Sequence, residues 1–570
     1  MHYQPALDDS LFIAFEVLHA DQQLVCMPAF AEVDRALMTQ VLNEAGKFVA
    51  DVVAPLQVVG DSVGCRFDQG QVTTPPGFRS AYQAFWQAGW PALSSAPEDG
   101  GQGLPTLLEA VLYEMLSAAN HGWTMAPGLL HGAYECLKHH ASDDLKARYL
   151  GKLATGEWLA TMCLTEPHAG SDLGLARTRA TVQDDGSYRL SGTKIFISGG
   201  EHDLSDNIVH LVLARLPDAP AGPKGLSLFL VPKFMPDGSR SAVYCERIEE
   251  KMGLHGSPTC VMRFEEAACS IVGEPGRGLG AMFVMMNAAR LHVALQGIGL
   301  LDTAWQKAQA YSLERRQMRA PRRGKSTDAA DYIADHPAIR RILDTQRAWI
   351  DGGRVLAYRT AIELDRAHHL TAADPTAAAR AQRWASLVTP VLKSAWTEQG
   401  FVGASACLQV LGGHGYVREW GIEQIVRDAR VAMIYEGTNE IQAIDLLVRK
   451  VLADGGEALA AMLADLATQW PADHAGHDRI RRINAVTERL VQAAPGDAAL
   501  AFEVADDYLR AVALVLLDWA WACIEAAPGA GVPRWQAPRQ ALVRHVLPEF
   551  DMRLQIIETR CALTHESVGA

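Results

Sequence analysis

Met433-Ile434-Tyr435-Glu436-Gly437-Thr438-Asn439-Glu440-Ile441-Gln442 places one carboxylate on a glycine hinge at the start of a helix. Asn439 with Gln442 three residues on reads as a capping pair, and Ile441, Ile444, Val448 and Val451 recur at helical spacing. Glu436 therefore belongs to the loop just before that helix. An acid held there beside exposed backbone N–H groups is suited to taking a proton from a carbon next to a carbonyl and stabilising the enolate that results. Taken alone the decapeptide is equally a surface loop carrying one acid, so the rest of the chain has to decide.

Outward from this stretch the pattern is helical. Apolar residues keep helical intervals through Gly280 to Leu313, His336 to Leu364, Ala377 to Thr397 and Gly400 to Leu411. The charged segment from Arg319 to Asp335 reads as a solvated loop. Before these helices, Lys194-Ile195-Phe196-Ile197-Ser198, Ile208 to Ala214, Leu226 to Val231 and Cys260 to Phe264 are short β-branched and apolar runs between Gly, Pro and Asp breaks. The apolar run Ile195-Phe196-Ile197 by itself reads as buried strand. Ala31 to Val52 and Thr106 to Ala119 are helical again, separated by the glycine- and proline-rich break from Pro97 to Pro105. The expected class is α+β with segregated layers. Expected boundaries are an N-terminal extension and helical domain at 1–160, a central β domain at 161–275, a helical bundle at 276–453 carrying Glu436, and a further helical block at 454–570.

The totals exclude several classes. A chain of 570 residues exceeds the roughly 250–300 at which single cores stop growing, so about two to four domains are expected. A net charge of −14 argues against a general nucleic-acid surface. The ten cysteines are scattered singly with no C-x-x-C pair, which fits reduced cytosolic usage and gives no disulfide framework or zinc site. The first residues carry Asp8, Asp9 and Glu16 in place of a basic and then apolar leader, so a cytoplasmic protein is expected. Leu509 to Ile524 is too short and, with Asp518, too polar to span a bilayer, and reads as a buried helix with Tyr508, Trp519 and Trp521 as core; no integral membrane segment is expected.

Three further stretches combine with the first. Leu164-Thr165-Glu166-Pro167-His168-Ala169-Gly170-Ser171-Asp172 leads into the β region, Leu313-Glu314-Arg315-Arg316 ends one helix, and Gln409-Val410-Leu411-Gly412-Gly413-His414-Gly415-Tyr416 ends another. In this order, and with Tyr435-Glu436-Gly437-Thr438, they resemble the acyl-CoA dehydrogenase family of flavoenzymes over residues 80 to 450. The resemblance implies an N-terminal helical domain, a central β-barrel-like domain, a C-terminal four-helix bundle and bound FAD. It implies α,β-dehydrogenation of an acyl-CoA thioester to a trans-2-enoyl-CoA, with Glu436 as base and hydride transfer to flavin N5.

The same resemblance distributes the site. Leu164, Thr165, Gly170 and Ser171 match the loop along the isoalloxazine, and Ser171 also lies at the acyl-CoA entrance. Phe196 and Ser198 match the strand that backs the ring, with phenylalanine where most relatives carry tryptophan. Arg315 matches a residue that meets the FAD pyrophosphate across a subunit interface, and Gln409, Gly412 and Gly413 match the backbone around the adenosine half. Arginine offers a planar fork to phosphate oxygens, and glycine allows close backbone approach. Thr438 and Glu440 are placed on the cofactor side of the decapeptide, where Glu440 also complements the helix dipole, while Arg290, Tyr435 and Gly437 are placed near the thioester. No metal is expected. In some branches the base stands at the position of Ala289, which cannot act as one, leaving Glu436 alone. Met318 replaces the usual phenylalanine, and His168 and His414 read as structural.

The N-terminal extension and the block from 455 to 570 resemble the larger bacterial members, broad-range fatty acyl-CoA and 3-methylmercaptopropionyl-CoA dehydrogenases among them, which are usually homodimers. An electron-transfer flavoprotein is the expected electron acceptor. An oxidase of the same fold using oxygen, and a non-catalytic acyl-CoA or FAD-binding scaffold, are the alternatives.

Overall fold

The computed structural model describes residues 3–321 and 328–568. Helices come first. Asp34 caps α1 (Arg35–Phe48) by accepting from Leu37 N at 2.8 Å, and Met38, Leu42 and Ala45 form its buried stripe. Then follow α2 (Phe78–Gln87), α3 (Thr106–Thr124) and α4 (Leu130–His140). α3 is buried on nearly every side and breaks its helical geometry at Asn120 (φ −158°, ψ 87°), whose side chain accepts from Trp123 N at 3.1 Å. That local break sets His121 at the inner end of the helix, where the site is built.

Seven strands follow: β1 (Leu159–Cys163), β2 (Arg179–Val182), β3 (Tyr188–Ser198), β4 (Ile208–Arg215), β5 (Leu226–Pro232), β6 (Val243–Ile248) and β7 (Thr259–Val272). Their order is β1-β4-β2-β3-β7-β5, with β6 on β7, and the added β4–β5 pairing curls the sheet back on itself. The barrel-like expectation is met. β4 and β5 are buried along almost their whole length, so they read as continuous apolar runs rather than alternating ones.

Three long helices carry the second helical region: α5 (Gly278–Glu314), α6 (Pro337–His369) and α7 (Pro375–Val410). α5 is buried without interruption from Ala289 to Ala304, and it meets α7 so closely that a Cβ on Gly297 would stand 2.4 Å from Trp396 O. α8 (Ile422–Ala429) leads to the Glu436 loop and α9 (Asn439–Ile444), which runs on to Asp454 as the fourth strut of the bundle. By length and composition α5 could cross a bilayer, yet 61% of its most apolar window is buried inside the fold.

The final block contains α10 (Glu457–Ala467), α11 (Gly476–Ala493), α12 (Leu500–Ala526), α13 (Pro533–Ala541) and α14 (Glu549–Val568). α12 holds Tyr508, Trp519 and Trp521 at no more than 1% exposure, as their apolar setting implies. It docks on α6, where Trp521 Nε1 donates to Ala348 O at 2.8 Å. Arg534 then reaches Asp351 at 2.8 and 3.0 Å, and Asp9 of the N-terminal segment at 2.9 Å. The expected solvated loop between Arg319 and Asp335 contains 322–327, which lie outside the described residues. Its described part is not simply solvated: Asp331, Ile333 and Ala334 are buried, Asp331 accepts from Ala320 N at 2.7 Å, and Ile333 N donates to Arg315 O at 2.8 Å.

Candidate active site

Glu436 sits in the left-handed backbone region (φ 55°), followed by Gly437 at φ 84°. Such a conformation in a non-glycine residue is held only when its surroundings over-determine it. Two donors do so here, one from the helix that follows and one from α7. Gln442 Nε2 donates to Glu436 O at 3.0 Å and to Gly437 O at 3.2 Å, while Lys393 Nζ, arriving from the middle of α7, donates to Gly437 O at 2.7 Å. The expected Asn439–Gln442 capping pair is not what forms. Thr438 is the cap, accepting from Ile441 N at 3.4 Å, and Asn439 turns inward to Lys393 Nζ (3.0 Å) and Ser394 O (3.1 Å). Gln442 is thereby freed to hold the loop carbonyls. Among the described residues the backbone N–H of Glu436 donates to no acceptor, as an oxyanion site requires.

The electrostatics follow from burial. Burial pushes the Glu436 carboxyl up to about 7, against the opposing pull of Arg290 and Lys393. Burial equally draws the Lys393 ammonium down to about 7, with Glu436 opposing. Arg290 is 5% exposed, its Nη1 lies 3.3 Å from Asp445 Oδ2 and 3.3 Å from Asn287 Oδ1, and its Nε has no hydrogen-bond partner. Glu440, exposed in the first turn of α9, is lowered by a hydrogen bond from Thr438 and by the backbone N–H groups there. The Tyr435 hydroxyl donates to Gln296 of α5 and stands 3.3 Å from His121 Nε2 and 3.7 Å from Met125 Sδ. His121 itself is pushed down to about 3 by burial and is neutral in the working range.

A second part of the site lies on the β domain. Leu164 O accepts from buried Lys194 Nζ at 3.0 Å and Thr165 O from Ile195 N at 2.9 Å, which ties the 164–171 loop to β3. Glu166 anchors the loop from beneath, accepting from Lys194 at 2.8 Å and from Arg177 N and Thr178 N at 2.7 and 3.0 Å. The register of β3 on β7 shifts between Lys194 and Ile197, and within that bulge Phe196 takes φ 60° and stands 60% exposed. The buried-strand reading of Ile195-Phe196-Ile197 thus holds for Ile197, at 2% exposure, and fails for Phe196, because the bulge re-aims one side chain. Ser198, partly buried, pairs with Thr259 beyond the bulge. Gly170 and Ser171 are exposed, and a Cβ on Gly170 would meet nothing within 4 Å.

The third part is at the far ends of α5 and α7. Arg315, exposed at the end of α5, donates its N–H to Tyr311 O at 2.9 Å and accepts from Ile333 N at 2.8 Å. Tyr311 OH lies 2.9 Å from His414 Nδ1, and His414 stacks on Trp420 with centroids 4.7 Å apart, so the structural reading of His414 holds. This brings Arg315 and the Gln409–Gly413 turn to one end of the bundle. Gln409, Gly412 and Gly413 are exposed, and a Cβ on either glycine would meet nothing within 4 Å. Met318 and Tyr416 stand 78% and 86% exposed beside them. Open glycine backbone, exposed aromatic and apolar side chains and an exposed guanidinium share this surface.

Sequence reasoning missed Lys393, Gln296 and His121. The available signal was Lys393 itself, a lone charge inside the apolar stretch Leu387 to Trp396.

Comparison with known proteins matches sequence models of the acyl-CoA dehydrogenase N-terminal domain to residues 38–157, the middle domain to 161–267 and the C-terminal domain to 276–451. The chain is 42% identical over 521 residues to the 3-methylmercaptopropionyl-CoA dehydrogenase of Ruegeria pomeroyi, covering 90% of this chain and 86% of that one. It is 35% identical to a broad-specificity linear acyl-CoA dehydrogenase of Mycobacterium tuberculosis, covering 87% and 83%. Among solved structures, an acyl-CoA dehydrogenase complexed with FAD from Bacillus anthracis shares the fold with TM-score 0.73 at 22% identity, over 96% of this chain and 90% of that one. The Caenorhabditis elegans protein ACDH-11, in complex with C11-CoA, shares it with TM-score 0.74 at 19% identity, over 96% and 93%.

Proposed function

The chain belongs to the acyl-CoA dehydrogenase family, and we propose that Glu436 is the base with which it oxidises an acyl-CoA to the trans-2-enoyl-CoA. The observation that carries the assignment is the Glu436 turn: a carboxyl raised by burial to about 7, pinned at φ 55°, with its own N–H free of any acceptor among the described residues. The α-hydrogen of a thioester is weakly acidic, so a carboxylate removes it only if charge developing on the carbonyl oxygen is met by a donor already in place. A base with a raised pKa near the working pH is the better proton acceptor. The Glu436 carboxylate takes the α-proton and its N–H receives the thioester oxygen. Arg290, with an unpartnered Nε, supplies positive charge near the carboxylate, and Tyr435 is held out of the proton transfer by its bond to Gln296.

FAD is the cofactor, and the residues present fit it. When bound, FAD accepts the hydride that leaves the β-carbon. Leu164, Thr165, Gly170, Ser171, Phe196 and Ser198 are assigned to its ring, and Arg315, Gln409, Gly412 and Gly413 to its pyrophosphate and adenosine, with Thr438 and Glu440 closing the side nearest the base. Ser171 and Gly437 border the thioester. An electron-transfer flavoprotein is assigned as acceptor, a homodimer as the working unit and the cytoplasm as its location. In the Glu436→Gln variant we expect the yellow flavin to remain bound while bleaching by acyl-CoA is abolished. Retained bleaching removes Glu436 from the role.

A further inference from the structure

Lys393 is a fully buried lysine in the middle of α7, 0% exposed, and among the described residues its Nζ forms no ion pair with a carboxylate. Burying a charge without a paired counter-ion is costly, so its retention in this position calls for a compensating role. Its donors are spent on the active-site turn. Nζ reaches Gly437 O at 2.7 Å and Asn439 Oδ1 at 3.0 Å, and Asn439 is itself fixed by Ser394 O (3.1 Å) and Thr397 Oγ1 (3.2 Å) from the same face of α7. The carbonyl it holds belongs to the residue after Glu436, so Gln442 sets the peptide plane that follows the base and the lysine, with Gln442, sets the next one.

We propose that Lys393 is a positioning residue for Glu436, holding the turn through Gly437 O and adding its charge to that of Arg290 beside the carboxylate. The other cation facing Glu436, Arg290 on α5, is already shared with Asp445, which also stands 3.3 Å from Lys450. Tyr435 faces the carboxylate from its own loop and is neutral. On the far side Glu440 faces Lys393 from α9, and Asp506 of α12 faces Glu440. Of the two cations that lower the Glu436 carboxyl, Arg290 has the larger effect and Lys393 the smaller, and Lys393 is the one that also holds the turn. Burial lowers its own ammonium, and Glu436 opposes that shift, the mutual coupling expected of two groups that stabilise one another's charge.

The inference rests on the assignment of Glu436 as base, and the experiment separates the two. Holoenzyme carrying Lys393→Gln, Lys393→Met or Glu436→Gln is mixed anaerobically with butyryl-CoA and with octanoyl-CoA, and flavin bleaching is followed across pH, with the visible spectrum before mixing reporting FAD retention. Removing the cation raises the carboxyl further, so the acid limb of the bleaching rate moves to higher pH by about one unit in both lysine variants. Lys393→Gln keeps a donor for Gly437 O, whereas Lys393→Met loses hold of the turn and falls roughly ten- to a hundred-fold in limiting rate. If Lys393→Met loses its FAD, Lys393→Gln decides. Parental rate and an unmoved acid limb in Lys393→Gln overturn the proposal while a silent Glu436→Gln leaves the base in place. Bleaching by Glu436→Gln overturns both.

Discussion

Gln442 Nε2 lies 3.0 Å from the carbonyl oxygen of Glu436, six residues earlier, and closes the active-site turn from within its own helix. Replacing Gln442 by Ala leaves the two carbonyls of the turn without that donor. A buried acceptor stripped of its partner costs about 1–3 kcal/mol. We expect a modest fall in melting temperature and a roughly ten-fold or greater loss in bleaching rate, with FAD still bound. Stopped-flow bleaching and a thermal melt check both.

Gly437 combines φ 84° with a tight environment: an added Cβ would stand 2.8 Å from Gln442 Nε2. Gly437→Ala therefore strains the backbone and displaces the donor that holds Glu436. Loss of acyl-CoA bleaching with an unchanged flavin spectrum is the expected outcome. A variant with parental rates would show that the turn tolerates a side chain.

The carboxyl of Glu436 is raised by burial to about 7, and only its ionised form accepts a proton. The rate of flavin reduction should therefore rise with pH and reach half its maximum near 7, instead of levelling off in the acid range of an ordinary glutamate. A rate already independent of pH at about 5.5 would contradict this.

Phe196 occupies a positive-φ bulge position and stands 60% exposed. Phe196→Gly relieves backbone strain worth about 1 kcal/mol while removing the aromatic wall. We expect the apoprotein to melt no lower than the parent and FAD to dissociate more readily. Flavin titration alongside a melt of the apoprotein separates the two effects.

Arg354 is buried between Glu114 (2.7 Å) and Asp302 (3.0 Å), where α6 meets α3 and α5. Arg354→Met leaves buried Glu114 without its counter-ion and strips Asp302 of one of its two arginines, the other being Arg347 at 3.0 Å, a change that costs about 3–5 kcal/mol. A large drop in melting temperature is expected. An unaltered melt would show that Glu114, whose carboxyl burial raises, is already neutral in the parent.

The elements were legible where a residue's role depends on its neighbours in the chain. Helical spacing located α1, α3, α5 and α12, and turn residues bounded the strands of the β domain. The buried reading of Phe196 failed because a register shift between β3 and β7 turns its side chain outward, and register depends on the partner strand. The Asn439–Gln442 cap failed for a related reason. Local spacing permits it, but Lys393 on α7 offers Asn439 a buried partner and Thr438 takes the cap.

By itself the sequence determined the family and the order of the four motifs, and singled out Glu436 as the candidate base, because these are properties of residues close together along the chain. Only the tertiary structure decided what surrounds Glu436. Lys393 is 44 residues from Gly437, and His121 is 314 residues from Tyr435. Proton affinity depends on burial and on charges a few ångströms away, and those distances exist only once α3, α5, α7 and α9 have packed against one another.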